Sequence, residues 1–309
     1  MPHSRTARGT ALSLFASCLF GLLYYYATVL RPLSGLEIFG WRILFTLPFL
    51  TLFIVLTGYR PLISGMFARL RTETYLLPGL LLSSFLIGVQ FWLFLWAPIN
   101  GKALDVSLGY LLMPLCMVIC GRFVYKEQLR RLQAVAVVFA AAGVANQVWY
   151  VGRLSWELLL VAIGFPIYFM LRRKLKTDHL GGLWFDMLLM VPAACGVILY
   201  YSDPLDLLAA HQRLLALIPV LGLLSASATA LYIIASRLLP FILFGLLSYA
   251  EPVLLVVVSL LLGESIRTGE IPTYLGVGLA ICLLALDGIN IKRTTSYLHP
   301  RSDHDQDCI

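Results

Sequence analysis

Residues 75–98 read YLLPGLLLSSFLIGVQFWLFLWAP and contain no charged side chain. A helix of about 20 predominantly apolar residues is long enough to cross the hydrocarbon core of a bilayer. A helix on the surface of a soluble domain would instead carry polar residues along one face. The segment therefore predicts a transmembrane helix.

The whole chain shares the character of this segment. Of its 309 residues, 60% are hydrophobic and 13% are charged, and the mean hydropathy is +0.87. Soluble domains average about 45–50% apolar and about 25% charged residues, so the composition excludes a soluble globular enzyme. The low charge content also excludes a disordered chain. The lipid bilayer is therefore an expected partner of the protein.

Hydropathy divides the chain into ten predicted transmembrane helices, which makes it an all-α membrane protein. Short loops connect them, and they leave no room for a large domain outside the membrane. The predicted spans cover residues 9–30, 37–57, 75–98, 105–125, 129–149, 154–171, 182–201, 214–236, 240–262 and 272–291.

The distribution of basic residues predicts the orientation. If the N-terminus is cytoplasmic, seventeen of the 23 Lys and Arg residues fall in inside segments and five fall in outside segments. Such a bias is typical of a multi-pass protein, because basic residues collect in cytoplasmic loops. Both termini are therefore predicted to be cytoplasmic. The net charge of +7 has the same explanation, so we expect no nucleic-acid partner.

The two halves of the chain resemble each other. Pro114 and Pro252 fall at corresponding places, and Tyr110 and Tyr249 precede them by four and three residues. We interpret residues 9–149 and 154–291 as two repeats of five helices, followed by a short cytoplasmic tail, 292–309. Because five is odd, the second repeat is inverted relative to the first. Inverted repeats build alternating-access transporters with a solute site near the membrane midplane.

Two adjacent segments carry a resemblance to a known family. Residues 86–100, LIGVQFWLFLWAPIN, and residues 105–115, DVSLGYLLMPL, resemble the RarD branch of the EamA transporters in the drug/metabolite transporter superfamily. Gly40-Trp41-Arg42 and Gly263-Glu264 are further matches. The resemblance covers nearly the whole chain.

The resemblance implies two EamA repeats, ten helices and an exporter-like protein of the bacterial inner membrane. Three positions depart from the branch pattern, and one of them is Lys126, which stands where the branch carries a small glycine before the carboxylate of the first half. Met113 stands before the first mid-span proline, where the branch usually carries a polar residue. Glu251 stands before the second, where the branch carries a small residue. The polarity of the site has thus moved between the halves.

Ionisable side chains inside the spans are the first functional candidates, because a charge at membrane depth costs at least about 2.5–3.5 kcal/mol. Glu251 lies near the middle of the ninth span. The functional interpretation is a carboxyl group that carries protons or contacts a cationic group of the solute. The competing interpretation is a structurally paired or permanently protonated carboxyl.

Arg42 and Asp186 occupy corresponding positions in the two halves and are also candidates for solute binding or coupling. The inverted order places Arg42 toward the outer face and Asp186 toward the inner face, so we do not expect them to pair. Glu37 or Asp105 is the expected partner of Arg42. The expected partners of Asp186 are the arginines at the cytoplasmic helix ends, Arg122, Arg172 and Arg237.

Prolines inside spans are a second group of candidates. Pro114 and Pro252 free backbone groups that a membrane helix tolerates where they line a cavity, although a kink packed within the protein is an equal alternative. Together with Tyr110, Tyr249 and Glu251 they mark the predicted midplane site.

The third span ends in an aromatic run that includes Trp96, with Gln90 as its polar member. The common interpretation is an aromatic belt at the outer interface. The alternative is the lining of an outer vestibule that holds flat or cationic solutes. In that case Gln90 exchanges hydrogen bonds with the solute.

These observations predict a secondary transporter rather than an enzyme. The chain has no phosphate-binding loop, so transport draws on an ion gradient, an exchange partner or facilitated flow. All histidines fall outside the spans, and we expect no metal site and no cofactor. The predicted activity is export of a small organic solute or drug by alternating access, with protons as the candidate coupling ion. Two alternatives stay open: a sensor or accessory protein that binds a solute without moving it, and an intramembrane enzyme.

Overall fold

The computed structural model describes residues 2–99, 103–151, 155–201, 209–261, 268–280, 282–283 and 286. Among these residues all regular secondary structure is helical. The helices are α1 (Pro2–Val29), α2 (Gly35–Leu56), α3 (Arg60–Thr72), α4 (Leu76–Ile99), α5 (Ala103–Phe123), α6 (Arg131–Val151), α7 (Trp156–Leu175), α8 (Leu180–Tyr201), α9 (Leu214–Leu238), α10 (Phe241–Leu247), α11 (Ala250–Leu261) and α12 (Ile271–Ala280).

Each of the ten predicted spans coincides with a helical part of the described chain. Six helices among the described residues are long and apolar enough to cross a membrane. The remaining spans correspond to α5, α7, α10 with α11, and the described part of α12. The protein is therefore an all-α multi-pass membrane protein. The predicted tail, 292–309, and the end of the tenth span lie outside the described residues.

One helix contradicts the sequence prediction, which left residues 58–74 as a loop. This segment contains α3, which is too short to span a bilayer and packs against α8. Met66 of α3 is buried, and the ring of Phe67 lies 4.9 Å from the ring of Phe185. A search for long apolar segments misses such a helix because its apolar residues occupy only one face.

Local capping explains where α2 and α7 begin and where α7 ends. The Ser34 hydroxyl accepts a hydrogen bond from the Glu37 backbone N–H at 3.3 Å, and the Glu37 carboxylate accepts one from the Ser34 N–H at 2.8 Å. The Ser155 hydroxyl caps α7 in the same way, accepting from the N–H of Leu158. Lys176 ends α7 in the left-handed conformation, with φ of 54°. The side chains of Ser34, Glu37 and Ser155 thus satisfy backbone N–H groups that have no partner within the helix.

The helix packing is consistent with two inverted repeats. In the first repeat α1 packs against α9, α10 and α11, and in the second α7 packs against α4 and α5. The pairing of α2 with α9 has its counterpart in the pairing of α8 with α4. The pairs α2–α8 and α5–α10 join equivalent helices. A two-fold relation between the halves produces this pattern.

The ninth span is broken near its middle, which the sequence prediction of one continuous span did not include. Helix α10 ends at Leu247 and α11 begins at Ala250, with a turn between them. Pro252 has no N–H to donate to the carbonyl of Ser248. That carbonyl accepts a hydrogen bond from the Glu251 N–H at 3.3 Å instead. In the first repeat Pro114 lies inside the continuous helix α5.

Close contact between α2 and α9 depends on Gly222. A Cβ atom at this position would lie only 2.7 Å from the carbonyl carbon of Phe45, which is backbone and has little freedom to move. At Gly196 of α8, no neighbouring heavy atom of the described residues lies within 4 Å of the position that a Cβ atom would take. The two glycines are therefore a matched pair for testing this packing.

We predict that Gly222→Ala lowers the thermal unfolding midpoint of the purified protein in detergent, because overpacking costs about 1–3 kcal/mol. Gly196→Ala is the control and is expected to leave the midpoint unchanged or raise it, because alanine favours helix over glycine. Equal midpoints for the two variants would contradict the assigned contact.

Candidate functional site

An internal cavity lies where helices of both repeats meet. It is lined by residues of seven helices, namely α1, α2, α4, α5, α7, α9 and α11. Its lining residues are mostly aromatic or aliphatic, with one acid and one base: Phe20, Arg42, Ile87, Phe91, Phe94, Tyr110, Met113, Phe165, Tyr168, Phe169, Thr229, Tyr232, Ile233 and Glu251.

The cavity is narrow in this conformation. The volume of the cavity is about 40 Å³. One buried water needs about 10–15 Å³ of cavity volume. The cavity therefore has room for a few waters. An organic molecule requires more space than this conformation provides.

Arg42 provides the positive charge of the cavity. Its Nε donates a hydrogen bond to the Ser225 hydroxyl at 2.8 Å, and its guanidinium carbon lies 4.2 Å from the centre of the Phe91 ring. The predicted pairing with Glu37 is wrong, because Glu37 caps α2. The side chain of Asp105 lies outside the described residues. Within the described chain the two terminal nitrogens of Arg42 have no hydrogen-bond acceptor.

Glu251 provides the negative charge of the cavity. It lies in the first turn of α11, directly after the helix break, where the helix dipole favours an anion. The residue is only 8% exposed, yet its carboxylate has no hydrogen-bond donor among the described residues. It shares the cavity with Arg42, and the two opposite charges attract each other.

Aromatic side chains form the walls around these charges. The Tyr110 ring lies 5.9 Å from Phe94 and 5.8 Å from Phe165. The Tyr232 hydroxyl is 2.7 Å from the Ser248 hydroxyl, so it ties α9 to the broken segment of the ninth span. Sequence reasoning selected Tyr110 but missed Phe165 and Tyr232. Phenylalanine is common in any membrane helix, so only the hydroxyl of Tyr232 offered a usable signal.

Other predicted site residues lie outside the cavity. Tyr249 is fully buried in a separate apolar cluster. Gln90 donates from Nε2 to the Leu160 carbonyl at 2.9 Å and so joins α4 to α7. The Trp96 ring lies 5.3 Å from the ring of Trp92.

The two mid-span prolines are both buried but do not line the cavity. The carbonyl of Pro114 faces Gly245, so this proline is part of the packing between α5 and α10. Pro252 directly follows Glu251 and contributes to the helix break. Met113 and Glu251, the residues that precede the two prolines, do line the cavity.

Asp186 belongs to a buried ion pair next to the cavity. Its Oδ2 lies 2.6 Å from Nη1 of Arg172, and both side chains are fully buried. It also accepts a hydrogen bond from the Tyr168 hydroxyl at 3.0 Å. Arg172 is one of the three partners that the sequence suggested. Tyr168 lines the cavity and therefore links it to this pair.

Arg172 also fixes the connection between α7 and α8. Its Nη2 donates to the carbonyls of Thr177 and His179, the latter at 2.8 Å. The Nδ1 atom of His179 accepts a hydrogen bond from the Gly182 N–H at 3.3 Å and so caps α8. Burial, together with the positive charges of Arg172 and Arg237, lowers the pKa of His179 to about 4.

The fold and the cavity define a multi-pass helical membrane protein with a charged, aromatic-walled cavity between two repeats. A sequence model described as the EamA-like transporter family matches residues 7–146. An uncharacterized transporter of Pasteurella multocida is 44% identical, over 93% of this chain and 98% of that protein. The chloramphenicol-sensitive protein RarD of Pseudomonas aeruginosa is 41% identical, over 93% of this chain and 97% of its own length.

The protein RarD of Escherichia coli is 26% identical, over 96% of this chain and 100% of that protein. A solved crystal structure matches the fold with a TM-score of 0.60 and 14% identity, covering 91% of this chain and 98% of its own. The chain therefore belongs to the EamA-like transporter family, among the relatives of RarD. The family resemblance found in the sequence is confirmed.

We predict that Asp186→Asn strongly destabilises the protein. The substitution leaves the charge of Arg172 buried without its partner, which typically costs about 3–5 kcal/mol. The thermal unfolding midpoint in detergent is expected to fall by several degrees. As a control, Glu73→Gln breaks the 2.8 Å pair with Arg69, whose side chains are 27% exposed, and should have a much smaller effect because water screens it. Similar shifts in both variants would contradict a stabilising role for the buried pair.

We also predict that His179 makes the protein sensitive to acid. A histidine in an unfolded chain has a pKa near 6.5, so the unfolded chain takes up a proton first as the pH falls. Stability is then lost between about pH 6.5 and pH 4. His179→Asn keeps a capping acceptor without titrating in this range. Its unfolding midpoint should depend less on pH across this window than that of the wild type, and parallel pH profiles would refute the assignment.

Proposed function

We propose that the protein is a secondary transporter that moves a small organic solute through the cavity between its two repeats. One observation carries the proposal: the terminal nitrogens of Arg42 and the carboxylate of Glu251 have no hydrogen-bond partner among the described residues, and both side chains line an aromatic-walled cavity. Family membership supports transport as the general activity, and the geometry suggests where the solute binds.

The charges of the cavity indicate the kind of solute. A buried charge is costly unless hydrogen bonds or an opposite charge compensate it. Water or a bound solute can supply the contacts that Arg42 and Glu251 lack among the described residues. The aromatic walls favour a solute with an apolar or flat body, and a cationic group can also stack on their faces. We therefore propose a small organic solute or drug that carries at least one charged group.

The proposed mechanism is alternating access, with the two repeats rocking around the cavity. The narrow cavity supports this mechanism, since a solute can enter only after the surrounding helices move apart. The broken helix places Glu251 in a first helical turn beside the cavity, and discontinuous helices mark the solute sites of other transporters. We propose the bacterial inner membrane as the location and export as the direction, with both termini cytoplasmic.

Glu251 is the proposed proton carrier. Its carboxylate is the acidic group that lines the cavity, and it has no hydrogen-bond donor among the described residues. Gain of a proton would leave Arg42 as the uncompensated charge of the cavity, and loss of the proton would restore balance. The affinity of the cavity for a charged solute would therefore change with protonation. Asp186, which Arg172 holds, is assigned a structural role.

We predict that Glu251→Gln abolishes solute flux that depends on a pH gradient, while the protein stays folded. The assay is uptake into proteoliposomes from a mixed pool of amino acids, metabolites and drug-like cations, with and without a pH gradient, read by mass spectrometry. Glu73→Gln removes an acid far from the cavity and should transport like the wild type.

The outcomes separate the remaining interpretations. Normal gradient-driven flux in Glu251→Gln would eliminate this residue as the proton carrier. Wild-type accumulation that is indifferent to the gradient would support a transporter without proton coupling. Binding without accumulation by well-folded protein would favour a sensor, and a chemically altered solute would favour an enzyme.

A further inference from the structure

We infer that Glu127 and Arg173 form a latch that closes the cavity toward the end of the bundle that is predicted to be cytoplasmic. The latch consists of these two side chains and the α9–α10 connection, residues 236–242. The inference rests on the alternating-access function proposed above, because it assigns the contacts that must open when that side becomes accessible.

Glu127 connects the first repeat to the second. It follows α5, and its two carboxylate oxygens accept hydrogen bonds from the backbone N–H groups of Phe241 and Ile242, each at 2.8 Å. These N–H groups begin α10 and have no partner within that helix. The carboxylate therefore fastens the end of α5 to the start of the broken ninth span.

Arg173 fastens the end of α7 to the same connection. Its Nη2 donates to the carbonyls of Ser236 at 3.1 Å and Leu239 at 3.3 Å. Its Nη1 lies 3.9 Å from the Glu127 carboxylate. The guanidinium carbon also lies 5.1 Å from the centre of the Tyr125 ring and 4.7 Å from that of the Phe241 ring.

An aromatic plug separates the latch from the cavity. The Phe244 ring lies 5.1 Å from Phe169 and 4.7 Å from Tyr232, and both of these partners line the cavity. Phe244 belongs to α10, whose first residues Glu127 holds. Movement of α10 away from α5 and α7 would therefore withdraw one ring of the plug.

The chemistry of the latch suits repeated opening. The Arg173 and Glu127 side chains are 22% and 20% exposed, so water can replace their contacts when they separate. The buried pair of Arg172 and Asp186, one residue away along α7, is fully buried and lies within one repeat. Opening thus breaks the contacts that Glu127 makes with α10 and Arg173 across the two repeats. The pair of Arg172 and Asp186 stays intact inside the second repeat.

The experiment measures access to the cavity from each side of the membrane and needs no known solute. Thr229, which lines the cavity, is replaced as Thr229→Cys in a background without the native cysteines. A membrane-impermeant maleimide is applied to inside-out and right-side-out vesicles. Glu127→Gln with Arg173→Ala is expected to raise labelling from the cytoplasmic side severalfold and to lower labelling from the outside.

The control is Glu73→Gln with Arg71→Ala, which makes the same charge changes on α3 and should leave both labelling rates unchanged. Unchanged cytoplasmic labelling in the folded latch variant would overturn the inference. A rise on both sides would also overturn it, because that result indicates general loosening.

The single substitution Arg173→Lys covers the case in which the double variant does not fold. It keeps the charge but loses the planar group that contacts both rings, so a smaller rise in cytoplasmic labelling is expected; no rise overturns the inference. Because labelling is read independently of transport, failure to find a transported solute does not affect the result.

Discussion

The hydrocarbon core of a bilayer offers no hydrogen bonds to an ionised side chain, so a charge among the helices needs a partner within the protein or its cargo. Arg172 and Asp186 meet it by pairing with each other, at 2.6 Å and without exposure. Arg42 and Glu251 meet it only in part. The charges of Arg172 and Asp186 are thus already paired within the bundle. Those of Arg42 and Glu251 leave contacts that a solute can supply.

The break in the ninth span shows that the need to stabilise a charge among the helices also affects the backbone. A continuous ninth helix would place Glu251 far from a helix end, whereas the turn before Ala250 starts a new helix inside the protein. Glu251 then lies in a first turn, where the helix dipole favours an anion. Tyr232 holds the turn through the hydroxyl of Ser248. The break thus provides a place inside the protein that favours a carboxylate. Few positions in a membrane helix offer such a place.

The sequence predicted the fold well because the membrane imposes a simple requirement of length and apolarity. Within the part of the chain that the structure describes, all ten spans fall on helices, and the amphipathic helix α3 was missed because it does not cross the bilayer. The site was harder to predict. Glu251 could be found because a charge at that depth is rare, but the partner of Arg42 depends on which helix packs beside α2. Serine at position 225 and phenylalanine at position 91 have no distinctive pattern in sequence.

The internal repeat explains both what the sequence found and where it failed. Met113 and Glu251 precede the two corresponding prolines, and both line the cavity, as a two-fold relation between the repeats requires. Arg42 and Asp186 also correspond, yet one faces the cavity and the other pairs with Arg172. The two positions before the prolines are therefore used alike, while the two charged positions are not. A cavity with an acid from one half of the chain and a base from the other has a direction. Under the transport function proposed above, a charged solute would bind there in one orientation, and the two halves would have unequal parts in moving it.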